Sequence, residues 1–210
     1  MSAERAALAL TVALSADADA PADGATDGGG VADGATGAEE PPGGPAGLWL
    51  PDERFVETWA RRAVEAVRRD PGRPDPRLAG GGALELELSV HLAGAARSRA
   101  LNREHRGRDR ATNVLSFPSG LPALEAGGVR LVALGDLVPC PEVIRREAAE
   151  QGKDERAHWA HLVVHGTLHL LGLDHEDDAS AAAMEAAEIE LLSSGGLPDP
   201  YRTAPDEAEA

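Results

Sequence analysis

The segment Val164-His-Gly-Thr-Leu-His-Leu-Leu-Gly-Leu-Asp-His175 constrains this chain more than any other stretch. Histidines four residues apart lie on one face of a helix, one turn apart, so His165 and His169 can reach the same ion. Gly172 suits the left-handed turn that ends a helix. The chain can then fold back and deliver His175 as a third ligand. Three protein nitrogens leave one tetrahedral position open, which marks a catalytic rather than a structural zinc. The spacing therefore predicts one Zn2+ ion held by His165, His169 and His175, on a helix and its following loop.

His158, His161, His165 and His169 continue as a stripe along one side of that helix. His161 rivals His165 as a ligand, but the pair His165/His169 has the glycine bend. His158 and His161 are expected to orient the site or line its mouth, or simply to be hydrogen-bonded. Gly166 stands where zinc peptidases of this spacing carry their glutamate base. A mid-helix glycine costs about 1 kcal/mol against alanine, so close packing or substrate approach is the expected reason for it. Without that glutamate the metal remains able to polarise a phosphoryl oxygen. Asp174 is a candidate acceptor or base beside His175, or a turn cap.

The formal charge is −16, unevenly spread. Residues 15–47 hold seven acidic and no basic residues, in an Ala/Asp/Gly/Pro-rich run with little to bury. Such a segment cannot offset its ordering entropy and reads as a disordered acidic insertion. Because much of the acidity lies there, it does not exclude a nucleic-acid partner. Cys140 is the single cysteine, which rules out an internal disulfide and fits a reducing compartment. No apolar run reaches the roughly 18–20 residues of a membrane span. The alternation of Leu8, Leu10, Val12 and Leu14 reads as a first strand rather than a signal peptide, since Glu4 cancels Arg5.

Further along, residues 48–69 read as an amphipathic helix and 83–90 as a strictly alternating strand. A helix follows over 95–105, then strands over 113–118 and 131–138, with Gly135 a bulge or close approach. Helices are predicted over 141–151, from the Asp154 cap to about Leu171, and over 178–193. This order gives an α+β single domain, a mixed sheet of about four strands packed with about five helices. Residues 1–14 supply the first strand, 15–47 the insertion, 48–196 the rest of the domain and 197–210 an acidic tail.

A second constellation lies upstream. Arg97, Arg99, Arg103, Arg106, Arg108 and Arg110 face only Glu104 and Asp109. Arginine forks suit phosphate, and a basic segment in an acidic chain is a candidate backbone-binding surface. The plain alternative is a solvated helix face. Stacking aromatics, common in single-strand binders, are few, with only His105 and Phe117 near this segment.

Three stretches, in this order, resemble the YbeY endoribonuclease (rRNA maturation factor) family. They are Leu101-Asn-Arg-Glu-His-Arg-Gly-Arg-Asp-Arg-Ala-Thr-Asn-Val-Leu-Ser-Phe-Pro118, Leu134-Gly-Asp-Leu137 and Ala157 to His175; Asp199-Pro-Tyr201 is also similar. The resemblance covers about residues 1–14 and 48–201. It implies a bacterial, cytoplasmic, zinc-dependent, single-strand-specific endoribonuclease. Such an enzyme acts in 16S rRNA 3′-end maturation and ribosome quality control, with rRNA, the small ribosomal subunit and assembly factors as partners. It implies His165, His169 and His175 as zinc ligands and Arg106 as a catalytic residue that binds phosphate. His105 and Leu173 stand where the family commonly has tyrosine, and residues 15–47 look added. Two other functions fit the residues less well: a metallopeptidase with a displaced base, and a non-enzymatic ribosome maturation factor whose metal only pins the helix to its loop.

Overall fold

The computed structural model describes residues 8–17, 49–70, 75–79, 82–174 and 177–202. The expected insertion lies outside these from residue 18 onward, as do His175 and the tail from residue 203. Strand β1 (Leu8–Ala16) leads to helix α1 (Glu53–Arg69), then β2 (Ala83–Leu92) and α2 (Ala95–Arg106). Strands β3 (Val114–Pro118), β4 (Leu124–Ala126) and β5 (Val129–Pro139) follow, and then α3 (Pro141–Glu150), α4 (Glu155–Leu170) and α5 (Asp178–Ser194). The order across the sheet is β1-β2-β5-β3, with β4 paired to β5. β1, β2 and β5 run parallel, while β3 and β4 are antiparallel to β5. The class is α+β with a mixed sheet, as the pattern predicts. The strand beyond the expected four is β4, a three-residue piece too short to show periodicity. β1 runs two residues past its expected end because Ser15 and Ala16 stay in parallel register with His91 and Leu92.

The period-2 pattern of β2 decides how the layers stack. Leu84, Leu86, Leu88, Val90 and Leu92 are buried, and Glu85 and Glu87 face solvent. The buried row joins Leu10 and Val12 of β1 with Val56, Ala60, Ala63 and Val64 of α1, and with Trp159, Val163 and Val164 of α4. Side chains alternate along β3 as well. Val114 therefore joins this main core, and Leu115 joins Leu101 of α2 and Val138 in a smaller cluster on the opposite face. α4 and α2 thus lie on opposite faces of the edge strand β3.

At Gly135 the pairing of β2 with β5 slips, so that Glu87 opposes Ala133 while Leu88 opposes Gly135. Gly135 has φ +130°, and a Cβ built there would stand 2.2 Å from the Phe117 carbonyl oxygen. The bulge and the close approach expected from sequence are both present. Among the described residues, no helix is long and apolar enough to cross a membrane.

Candidate metal centre

Helix α4 is capped at its start by Asp154, whose carboxylate accepts from the Ala157 N–H at 2.7 Å. At its end Gly172 takes φ +84°. Its N–H donates to the His169 carbonyl at 3.0 Å, and the Leu173 N–H reaches back to the Leu168 carbonyl at 3.0 Å. This paired closure turns the chain away one residue after the helix and buries Leu173. The bend that the sequence requires after His169 is therefore formed. His175, which it would deliver, lies outside the described residues.

The Nε2 atoms of His165 and His169 face each other at 3.2 Å. Two nitrogens sharing a tetrahedral zinc at about 2.0–2.1 Å stand about 3.3 Å apart, so the pair fits one ion. His165 turns its other nitrogen inward, where Nδ1 lies 2.9 Å from the Glu188 Oε1 atom. A carboxylate facing Nδ1 puts the proton of a neutral imidazole there and leaves the Nε2 lone pair toward His169. His169 Nδ1 and Asp174 Oδ1 are 3.8 Å apart, outside direct hydrogen-bond range.

Glu188 comes from α5. That helix is set by a capping box, with the Asp177 carboxylate accepting from the Ser180 N–H and the Ser180 hydroxyl accepting from the Asp177 N–H. Its buried stripe is Met184, Glu188, Leu191 and Leu192. Glu188 is 0% exposed. Its Oε2 lies 2.8 Å from His161 Nε2 and accepts a short hydrogen bond from the Tyr201 hydroxyl. Burial alone pushes the carboxyl upward, but hydrogen bonds with His161 and His165 outweigh it and hold the pKa at about 2. Burial drives the His161 pKa down against the pull of Glu188. The Tyr201 phenol is pushed far up by burial and by its bond to the same carboxylate.

His161, His165 and Glu188 lie close enough together that they could hold a metal ion. Two overlapping donor sets therefore exist: a closed one around Glu188, and one at the Nε2 atoms of His165 and His169, whose side chains are 26% and 16% exposed. His158 takes no part in either. It is buried, its Nε2 lies 3.2 Å from Glu147 Oε2, and Asn113 donates to the same oxygen at 2.9 Å. It ties α4 to α3 and, through Glu147, to Asn113 just before β3, and does not line the cleft. Sequence reading missed Glu188 and assigned Tyr201 no role. The available signal was one acidic residue within the apolar stripe of α5.

A cleft of about 800 Å³ opens beside His169, lined by Arg77, Pro118, Leu121, Pro122 and Leu173. Arg77 also binds two neighbouring groups. It holds Asp75 in a fork and donates to the Leu170 carbonyl at 2.7 Å, which fixes the last turn of α4. Gly166 faces the sheet. A Cβ there would stand 2.7 Å from Leu137 Cδ2 and 3.1 Å from Ser116 Oγ. Close packing, not substrate approach, accounts for this glycine, and the position has no room for a glutamate.

The basic segment sits across β3. Asp109 pairs with Arg99 at 2.7 Å and lies 3.7 Å from Arg103. Arg97, Arg106, Arg108 and Arg110 have no ion-pair partner among the described residues. Arg106 is exposed in the last turn of α2. Next to it, His105 packs edge-on against Phe117 with ring centroids 4.9 Å apart. Phe117 neighbours both Ser116, which touches α4, and Pro118, which lines the cleft. One short edge strand thus links the arginine helix to the histidine helix.

Fold and site together define an α+β domain with a histidine–glutamate group that could hold a metal ion, and a cleft lined by His169. The family model described as Endoribonuclease YbeY matches residues 53–196, and the chain belongs to that family. Endoribonuclease YbeY of Halorhodospira halophila is 49% identical over 158 residues, covering 75% of this chain and 92% of the relative. The Xanthomonas axonopodis protein of the same name is 55% identical over 117 residues, covering 56% and 73%. That of Stenotrophomonas maltophilia is 54% identical over the same shares. A Thermotoga maritima protein of known solution structure aligns at 23% identity with a TM-score of 0.41, covering 71% of this chain and 92% of that one.

Proposed function

We propose that this chain is a zinc-dependent endoribonuclease that cuts single-stranded RNA, acting in rRNA processing. Within that role we infer 16S rRNA 3′-end maturation and ribosome quality control in the cytoplasm, with the small subunit and assembly factors as partners. His165, His169 and His175 are the proposed zinc ligands, and Arg106 the phosphate-binding catalytic residue. The observation that carries the reading is the Nε2 pair of His165 and His169 at 3.2 Å beside an open cleft. The name of the relatives and the four uncompensated arginines across β3 support an RNA substrate.

When bound, zinc supplies Lewis-acid polarisation of a phosphoryl oxygen. The protein's own residues do the rest. Glu188 keeps the His165 proton on Nδ1, so Nε2 stays a lone-pair donor. The Arg106 guanidinium binds the phosphate backbone and stabilises negative charge as it develops there. Arg77 and the Gly172 turn hold the end of α4, and hence His169, against the cleft. The packed Gly166 argues against peptide hydrolysis, because the usual base position is filled by Leu137 and Ser116.

The test is cleavage of a single-stranded RNA by the purified chain, with chelator and zinc add-back and a peptide library alongside. Activity lost with chelator and regained with zinc is expected. His169→Ala is expected to lose metal and cleavage together, and Arg106→Ala to keep metal and cleave at least tenfold more slowly. RNA cleavage that survives in His169→Ala, or that follows thermal stability alone across the variants, overturns the proposal.

A further inference from the structure

We propose that Glu188 is a positioning residue for the metal centre: it fixes the His165 proton on Nδ1 and aims Nε2 at the ion, while His161 and Tyr201 hold Glu188 in place. This inference rests on the reading that His165 and His169 bind the metal.

A buried carboxylate is costly to desolvate and persists only where donors satisfy it. Glu188, 0% exposed, has three such groups within reach: His165 Nδ1 at Oε1, and His161 Nε2 and the Tyr201 hydroxyl at Oε2. Stability does not account for this arrangement. The other buried members of the α5 stripe are apolar, and replacing a buried charged group with its partners by well-packed apolar residues is often neutral or stabilising. Geometry does account for it. Histidines that bind metals commonly donate their other ring N–H to a carboxylate, which sets tautomer and ring orientation. The carboxylate meets His165 at Nδ1, while Nε2 faces His169 at 3.2 Å.

The competing assignment makes Glu188 itself a ligand, with His161 and His165. An ion there would be enclosed by a fully buried carboxylate and a side chain of His161 only 12% exposed. None of the three residues lines the cleft, whereas His169 does. Tyr201 gives the arrangement its outer support. The hydroxyl of a residue beyond α5 anchors the Asp199-Pro-Tyr201 segment on the carboxylate that steers His165.

The experiment measures zinc affinity of the full chain by competition with a chromophoric chelator, together with the Tm of the metal-free protein and the absorption spectrum of the Co2+ form. Glu188→Gln is expected to weaken zinc binding about 10–100-fold and to shift the Co2+ spectrum. Tyr201→Phe, which keeps the charge and adds no buried polar group, is expected to weaken binding in the same direction by less. It also serves if Glu188→Gln does not fold. His161→Ala is expected to retain measurable zinc and His169→Ala to lose it. Wild-type affinity and spectrum in both Glu188→Gln and Tyr201→Phe overturn the inference and leave the ligand reading standing. So does a lowered metal-free Tm with unchanged affinity, since that is a structural role. Loss of zinc in His161→Ala with retention in His169→Ala overturns the ligand reading itself.

Discussion

Gly166→Ala sets two known effects of opposite sign against each other at one position. Replacing a mid-helix glycine by alanine is worth about 1 kcal/mol in helix propensity. On a helix with open space at that site, the variant would be the more stable. Here the new Cβ would stand 2.7 Å from Leu137 Cδ2, whereas two carbons prefer about 3.5–4.0 Å. Leu137 is 1% exposed and has nowhere to withdraw, and Ser116 Oγ closes the other side at 3.1 Å. Overpacking of this kind costs about 1–3 kcal/mol. The packing effect therefore wins by about 1 kcal/mol, a Tm lower by about 2–4 °C for a domain of this size. Urea unfolding and thermal melts of metal-free protein measure it. A double-mutant cycle isolates the cause. Leu137→Ala alone should cost about 2–5 kcal/mol, but in that background the added methyl finds room and Gly166→Ala becomes stabilising. A coupling of about 2 kcal/mol is expected between the two sites. A single variant that melts higher than the parent, or two changes that add without coupling, would refute the reasoning.

Gly135→Ala should be far worse, because its Cβ meets backbone atoms, the Phe117 carbonyl oxygen and the Ser119 nitrogen at 2.8 Å, at a φ of +130°; a loss of about 4 kcal/mol or more is expected, read as insolubility or a collapsed urea midpoint. Arg77→Ala should cost about 3 kcal/mol by leaving the buried Asp75 carboxylate without its fork, and adding Asp75→Asn should restore part of it; no recovery would show that the pair is not the cause. Glu147 gives a pH signature. Burial pushes its carboxyl up, but hydrogen bonds from His158 and Asn113 more than reverse this, so its folded pKa lies below the usual value. A depressed carboxyl stabilises the fold above its unfolded pKa, and that contribution is lost as pH falls through the folded one. Glu147→Gln should therefore flatten the decline of Tm between about pH 5 and pH 3, and an unchanged slope would remove Glu147 from the account.

The histidine motif was readable because its logic is local. The i, i+4 spacing fixes the shared face of α4, and the Gly172 bend needs only the φ that glycine permits. Element order followed for the same reason: the strict alternation in β2 and the Asp154 cap on α4 each use neighbours within a few residues. β4 was not readable, because three exposed residues carry no period and pair only once β5 is present. Glu188 was not readable as part of the site either. It lies on another helix, 23 residues beyond His165, and Tyr201 lies 13 further on. The one local signal, its place in the apolar stripe with Met184, Leu191 and Leu192, does not say which residues it will face.

The same division explains why the motif alone left two reasons open for Gly166. The sequence offered two reasons for a glycine inside the histidine-bearing helix, packing or substrate approach, and local spacing cannot choose between them. The choice is made by β5 and β3, which bring Leu137 and Ser116 against the back of α4. The face of α4 that carries Gly166 is pressed on the sheet, while His165 and His169 turn their Nε2 atoms toward each other, and His169 lines the cleft. A glutamate base cannot be recovered by substitution at 166 without prising the helix off the strands that position it. β3, on which α4 is seated, also carries the contact to α2 through Phe117 and His105. The closure of position 166 and the placing of the arginine-bearing α2 thus both involve the edge strand β3, whose opposite faces pack on α4 and α2.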